Sequence, residues 1–131
     1  MKLLLDTHIW LWSLLEPERL TRRVATQLTA PANELWLSPI STWEAMLLVR
    51  AGRVDSPDDP RRTVERLLAA IPAREAPLTH EVAVESAFIE LPHRDPADRF
   101  LAATAKVFGL TLVTADERLL GSKACAVLPN R

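Results

Sequence analysis

Short apolar runs alternate along this chain with longer stretches that carry helix punctuation. Residues 2–5 (KLLL), 34–38 (ELWLS) and 110–114 (LTLVT) have the length and apolar density of strands buried on both faces. Residues 7–15 follow the first run and predict a helix. A second helix is expected over 21–29, with Thr21 as its cap. Residues 41–51 form a third, stopped by Gly52, and 54–60 read as a polar, proline-containing loop. A helix over 62–71 comes next, then a short edge strand over 74–78 that Pro77 weakens. Thr79 caps a helix over 79–91. The best-marked helix is 95–108, with Asp95 as N-cap, Pro96 at the first helical position and Gly109 as the stop. Residues 124–128 supply a last strand. Strands alternating with helices predict an α/β fold whose central, mostly parallel sheet is covered on both faces. With no repeat, low-complexity tract or linker, 1–131 reads as one domain.

Composition sharpens this picture at few points. An apolar share of 48% beside a charged share of 25% excludes a disordered chain and suits a buried core. The opening MKLLLDTHIWLW looks like a secretory signal, but Asp6 interrupts it and residues 9–15 run into Glu16-Pro17-Glu18-Arg19, not a small-residue cleavage site. No run approaches the ~20 apolar residues that span a bilayer. The expectation is an uncleaved, soluble, cytoplasmic protein with no membrane contact. Cys125 is the single cysteine, which excludes an intrachain disulfide and a cysteine-based zinc site. It is expected to be a small buried residue of the last strand. The net charge of -1 lacks the basic excess of many nucleic-acid binders. Arginines cluster at Arg22-Arg23, at Arg50 and Arg53 and at Arg61-Arg62, so a basic patch stays open.

An acid inside an apolar run needs a reason, and Asp6 directly follows the first strand. Ligands of open parallel sheets bind at the carboxyl ends of the strands. Asp116 lies two residues beyond the strand over 110–114, Glu44 in the first turns of the helix after 34–38, and Asp98 in the first turn of the helix over 95–108. Each also has an ordinary reading. Asp6 caps a helix, Ser41-x-x-Glu44 is a capping box, Asp98 complements a helix dipole, and Asp116 is a turn residue. Brought to one edge, four carboxylates would repel each other, and such a site generally exists to hold a hard divalent cation. Competing motifs are missing. Asp6 is followed by Thr7-His8 rather than x-Asp, and the glycines (Gly52, Gly109, Gly121) form no phosphate loop. No serine sits in Gly-x-Ser-x-Gly, and His8, His80 and His93 are scattered.

The segments LLLDTHIWLW, SPISTWEAMLLVRAGRV, LPHRDPADRFLAATA and LTLVTADERL, in this order, resemble the PIN-domain family, specifically VapC-type toxins of bacterial toxin–antitoxin pairs. The resemblance implies a three-layer α/β/α sandwich and an Mg²⁺- or Mn²⁺-dependent endoribonuclease that leaves a 5′-phosphate and a 3′-hydroxyl. It places the acidic site on Asp6, Glu44, Asp98 and Asp116. Asp6 and Asp98 become the principal metal ligands; Glu44 and Asp116 act through water or on a second ion. Asp95 becomes the helix cap. Thr7 would orient Asp6 or a water. Arg94 and Arg99 would hold phosphate oxygens or else pair with neighbouring acids, and His93 would be structural or exposed. The implied partners are RNA, a VapB-like antitoxin and a second copy of the chain. Trp36 is expected in the core, one of Trp10 and Trp12 buried and the other near the surface. Helices over 9–15 and 42–49 are the candidate interfaces. Two alternatives remain: a catalytically silent PIN-fold binding module, and a metal-dependent phosphatase or DNA nuclease.

Overall fold

The computed structural model describes residues 1–91, 95–121 and 123–131. The elements run β1 (Lys2–Leu5), α1 (Thr7–Leu15), a 3-10 turn (Pro17–Arg19), α2 (Arg22–Thr29), β2 (Glu34–Leu37), α3 (Pro39–Arg50), α4 (Pro60–Ala69), β3 (Ala73–Glu75), α5 (His80–Phe88), α6 (Pro96–Phe108), β4 (Thr111–Thr114) and β5 (Val127–Pro129). The strands form one sheet in the order β3-β2-β1-β4-β5, and every pairing is parallel. β1 is central: Leu4 stands opposite Trp36 on one side and Leu112 on the other.

Successive side chains of a strand point to opposite faces, and β1 shows why both faces need covering. Leu3 and Leu5 join Ile9, Trp10, Val24, Ala45, Val64 and Leu67 in a core beneath α1 to α4. Leu4 points the other way, into a core with Leu101, Ala105 and Leu112 beneath α6. All three leucines are 0% exposed. The outcome is the expected α/β/α sandwich.

The differences from the sequence reading have local causes. The third helix begins at Pro39, not at 41, because Ser38 is its cap: the Ser38 hydroxyl accepts the Ile40 amide at 3.1 Å, and Pro39 fits the first turn. The proposed Ser41–Glu44 capping box is therefore wrong, and both residues are free to face the first helix. β3 ends at Glu75, ahead of Pro77. The helix predicted to reach 91 stops at Phe88. β5 starts at Val127, so Cys125 lies outside it; the thiol is half-buried against the α5–α6 side, and burial pushes its pKa up to about 11. Trp36 is only partly buried, with the Arg74 guanidinium 5.8 Å above its ring. Trp10 is fully buried while Trp12 is half-exposed beneath Arg19, as their spacing predicts. Among the described residues, no helix is long and apolar enough to cross a membrane.

Candidate active site

The strand order reverses its direction of growth between β1 and β4, and the carboxyl ends of those two strands open the crevice where α/β folds bind ligands. Asp6 sits on this switch point. Its amide donates to the Val113 carbonyl at 3.0 Å, which extends the β1–β4 ladder by one step. Its side chain caps α1 by accepting the Thr7 amide at 2.7 Å and takes a second hydrogen bond, 2.6 Å, from the Thr114 hydroxyl at the end of β4. Capping and site are thus one arrangement: the helix cap fixes one carboxylate oxygen and the neighbouring strand the other.

The other acids arrive from three further elements. Asp98 lies in the first turn of α6, which Asp95 caps by accepting the Ala97 amide at 3.0 Å. Glu44 lies on α3, where its Oε1 accepts the Thr7 hydroxyl at 2.6 Å; the same hydroxyl lies 2.9 Å from Ser41 Oγ. Asp116 follows β4. Its amide donates to Thr114 Oγ1 at 3.0 Å, and its Oδ1 accepts the Arg118 amide at 2.9 Å in a tight Asx turn. Asp6, Glu44, Asp98 and Asp116 line one cleft of about 380 Å³, together with His8, Trp12, Asp95, Ala115 and Arg118.

Asp6 and Asp98 are each only 7% exposed. Burial raises the pKa of Asp6, against hydrogen bonds from Thr114 and Thr7. The same cause raises Glu44, with Asp6 and Asp95 adding repulsion. Asp98 is pushed up to about 7 by burial and then by Asp6, Asp95 and Asp116, with Arg118 opposing. Carboxylates kept this close and this dry favour either protons or a cation. The donors are hard oxygens, the kind that Mg²⁺ and Mn²⁺ take, and Mg²⁺ needs only one or two carboxylates beside its waters. Among the described residues, no group of three or more acidic, histidine or cysteine side chains is placed so that it could hold a metal ion as it stands.

The PIN-domain family model matches residues 3–122. The chain belongs to the PIN-domain family. It is 34% identical over 119 residues, 88% of each chain, to Ribonuclease VapC22 of Mycobacterium tuberculosis. The fold is shared with FitAcB of Neisseria gonorrhoeae at a TM-score of 0.67 and 26% identity, over 98% of this chain and 97% of that one. VapBC2 of Rickettsia felis, bound to a promoter DNA fragment, superposes at a TM-score of 0.73 over 98% of each chain at 15% identity, a likeness of fold alone.

Within this PIN fold, several side chains sit elsewhere than the sequence implies. Among the described residues, Arg99 is directed at backbone carbonyls rather than at the cleft. Its guanidinium donates to the carbonyls of Ser86 (3.0 Å), Ala87 (3.4 Å) and Ile89 (2.7 Å), taking up orphan carbonyls at the end of α5. Thr7 is 1% exposed and spends its hydroxyl on Glu44, so it orients that acid through its side chain and Asp6 only through its amide. Arg94 and His93 lie outside the described residues. The sequence reading missed Thr114 and Arg118. Thr114, 0% exposed, ties Asp6 to Asp116. Arg118 bridges Asp116 at 2.9 Å and Asp98 at 3.4 Å. A basic residue two positions after a site acid, in Asp116-Glu117-Arg118, was the available signal.

The Asp98 shift fixes the sign of a pH effect. Between the ordinary 3.8 and about 7, the folded protein holds a proton on Asp98 that the unfolded chain has released. Its contribution is therefore complete at acid pH and lost as pH rises through about 7. Metal-free protein in chelator is expected to melt at progressively lower temperature from pH 5 to pH 7.5, and Asp98→Asn to flatten that slope. Equal slopes in thermal scans of the two proteins would refute the assignment.

Proposed function

We propose that this chain is a VapC-type endoribonuclease toxin that hydrolyses RNA phosphodiesters with Mg²⁺ or Mn²⁺. Its single domain over residues 1–131 would act in the cytoplasm as a homodimer, held in check by a VapB-like antitoxin. One observation carries the chemistry: carboxylates from four different elements meet at the switch point of the sheet, two of them 7% exposed, with Asp98 titrating near 7. Similarity to a named ribonuclease supplies the substrate class.

In this reading Asp6 and Asp98 would be the principal metal ligands, and Glu44 and Asp116 would act through water or on a second ion. A bound divalent cation supplies an acidified water and offsets the charge of the phosphodiester. The chain's own part is to hold the acids still. Thr114 and the Thr7 amide fix both oxygens of Asp6, the Thr7 hydroxyl fixes Glu44, and Thr114 holds the backbone at Asp116. Hydrogen-bonded supports of this kind commonly contribute about 10- to 100-fold to metal affinity or activity.

The antitoxin has a surface ready beside the cleft. Trp43 and Leu47 stand one turn apart on α3, 55% and 44% exposed, and Leu78 faces them at 41%. With Phe100 they line an apolar groove of about 620 Å³ that ends on Glu44 and Asp95. A segment packed there would lie across the acids.

The deciding experiment is cleavage of RNA by purified, partner-free protein with Mg²⁺, with Mn²⁺ and with chelator, beside Asp6→Asn. Metal-dependent cutting that disappears in the variant is expected. Cutting that survives both chelator and substitution, or cutting of DNA or phosphomonoesters with RNA untouched, would displace this function.

A further inference from the structure

The cleft holds a cation of its own. Arg118 follows β4 by four residues, and its guanidinium reaches back over the acids. One nitrogen lies 2.9 Å from Asp116 Oδ2 and 3.4 Å from Asp98 Oδ2, and Nε lies 3.1 Å from Asp116 Oδ1. The two acids are well shielded, with side chains 10% and 23% exposed, whereas the Arg118 side chain is 54% exposed. It stands at the mouth of the cleft, between the carboxylates and the solvent from which metal and substrate arrive.

This placement sets two competitions. Oxygens that accept from a guanidinium point at it, and a divalent cation must draw the same oxygens away. A strongly solvated bridge contributes little, so the contest favours the ion. Once released, the guanidinium keeps its charge and its planar fork, which suits phosphate oxygens as well as carboxylate. An RNA phosphate entering the cleft meets a wall of acids, and among the described residues Arg118 is an exposed fixed cation at its rim. Arg99, the other candidate within the described residues, is committed to the end of α5.

We propose that Arg118 has two stations: it is a counter-ion of Asp98 and Asp116 in the metal-free protein, and it turns to the scissile phosphate of RNA when metal takes those acids. The proposal rests on the ribonuclease reading above.

The test uses the full-length protein and Mn²⁺ alone as the first probe, by calorimetry at pH 8, with wild type, Arg118→Gln and Arg118→Lys. Removing the internal competitor is expected to tighten Mn²⁺ binding by Arg118→Gln about threefold to tenfold. At saturating Mn²⁺, RNA kcat/KM of the same variant is expected to fall about a hundredfold, the scale of one lost donor to transition-state charge. Arg118→Lys keeps the charge without the fork. It should bind Mn²⁺ as wild type does and recover only part of the cleavage. A thermal midpoint within a few degrees of wild type shows that the variants are folded. Unchanged or weaker Mn²⁺ binding by Arg118→Gln overturns the proposal, because the arginine then only props up the acids. Tighter binding with undiminished cleavage overturns it too, because the second station is then empty. If wild type neither binds Mn²⁺ nor cuts RNA, the ribonuclease reading fails instead; if wild type does both and Arg118→Gln matches it, only this inference fails.

Discussion

Asp98→Asn is expected to lose RNA cleavage by about three orders of magnitude while raising the melting temperature of the metal-free protein above neutral pH. The two effects share one cause. Asp98 is nearly buried, faces Asp6, Asp95 and Asp116, and is deprotonated only at about 7 and above. On the proposed function, its charge is a liability that the fold carries for the sake of a cation. Asparagine keeps the shape and removes the charge, so repulsion and desolvation both relax. What is lost, on the proposed function, is a metal ligand. Lewis-acid stabilisation by a metal is worth several kcal/mol, and at ~1.4 kcal/mol per factor of ten this sets the scale of about 10³-fold. The Arg118 bridge also disappears, but that side chain is largely solvated and its loss subtracts little from the gain. Single-turnover cleavage and scanning calorimetry at pH 8 in chelator check both halves. A variant that cleaves at wild-type rates, or that melts lower than wild type under those conditions, would show that Asp98 is a structural acid and not a ligand.

Trp10→Ala acts through the opposite route, by loss of the fold rather than the chemistry. Trp10 is the largest fully buried side chain in the protein among the described residues. It joins the core beneath α1 to α4, and its indole nitrogen donates to the Leu67 carbonyl on α4 at 3.2 Å, across 57 positions of sequence. Deleting a buried aromatic costs about 3–5 kcal/mol, a large part of the ~5–15 kcal/mol that keeps a domain folded. At roughly 4 °C per kcal/mol for a chain of this size, the melting temperature is expected to fall by about 15 °C. Activity should vanish with folding and not before it. Trp10→Phe fills most of the space but strands the Leu67 carbonyl, and it should cost about 1–3 kcal/mol. A calorimetric shift below about 5 °C for the alanine variant would mean that α1 and α4 are held together by something other than this residue.

Legibility in the sequence followed the range of the interaction involved. Local rules worked where neighbours along the chain decide. Asp95, Pro96 and Gly109 punctuate α6 as expected, Gly109 at a φ of 66°, and Thr21 and Thr79 cap α2 and α5. They failed at α3, where Ser38-Pro39 and Ser41-x-x-Glu44 offer competing start signals three residues apart, and the earlier one won because proline suits the first turn. They failed again at Arg99, which follows Asp95 and Asp98 in sequence but turns to the carbonyls of another helix, and at Cys125, which the apolar run 124–128 placed in a strand.

By itself the sequence determined the alternation of strands and helices, hence a parallel sheet with both faces covered, and it determined which acids follow the strands. Periodicity and capping are properties of a few adjacent residues, so they survive without the fold. The tertiary structure alone decided that β1 and β4 are neighbours, that Thr114 and Thr7 hold Asp6 and Glu44, and that Arg118 crosses to Asp98. It also decided how far burial and mutual repulsion raise Asp98. These are contacts between residues 20 to 108 positions apart. A pKa is a sum over everything packed around a group in three dimensions, and no window of sequence contains those neighbours.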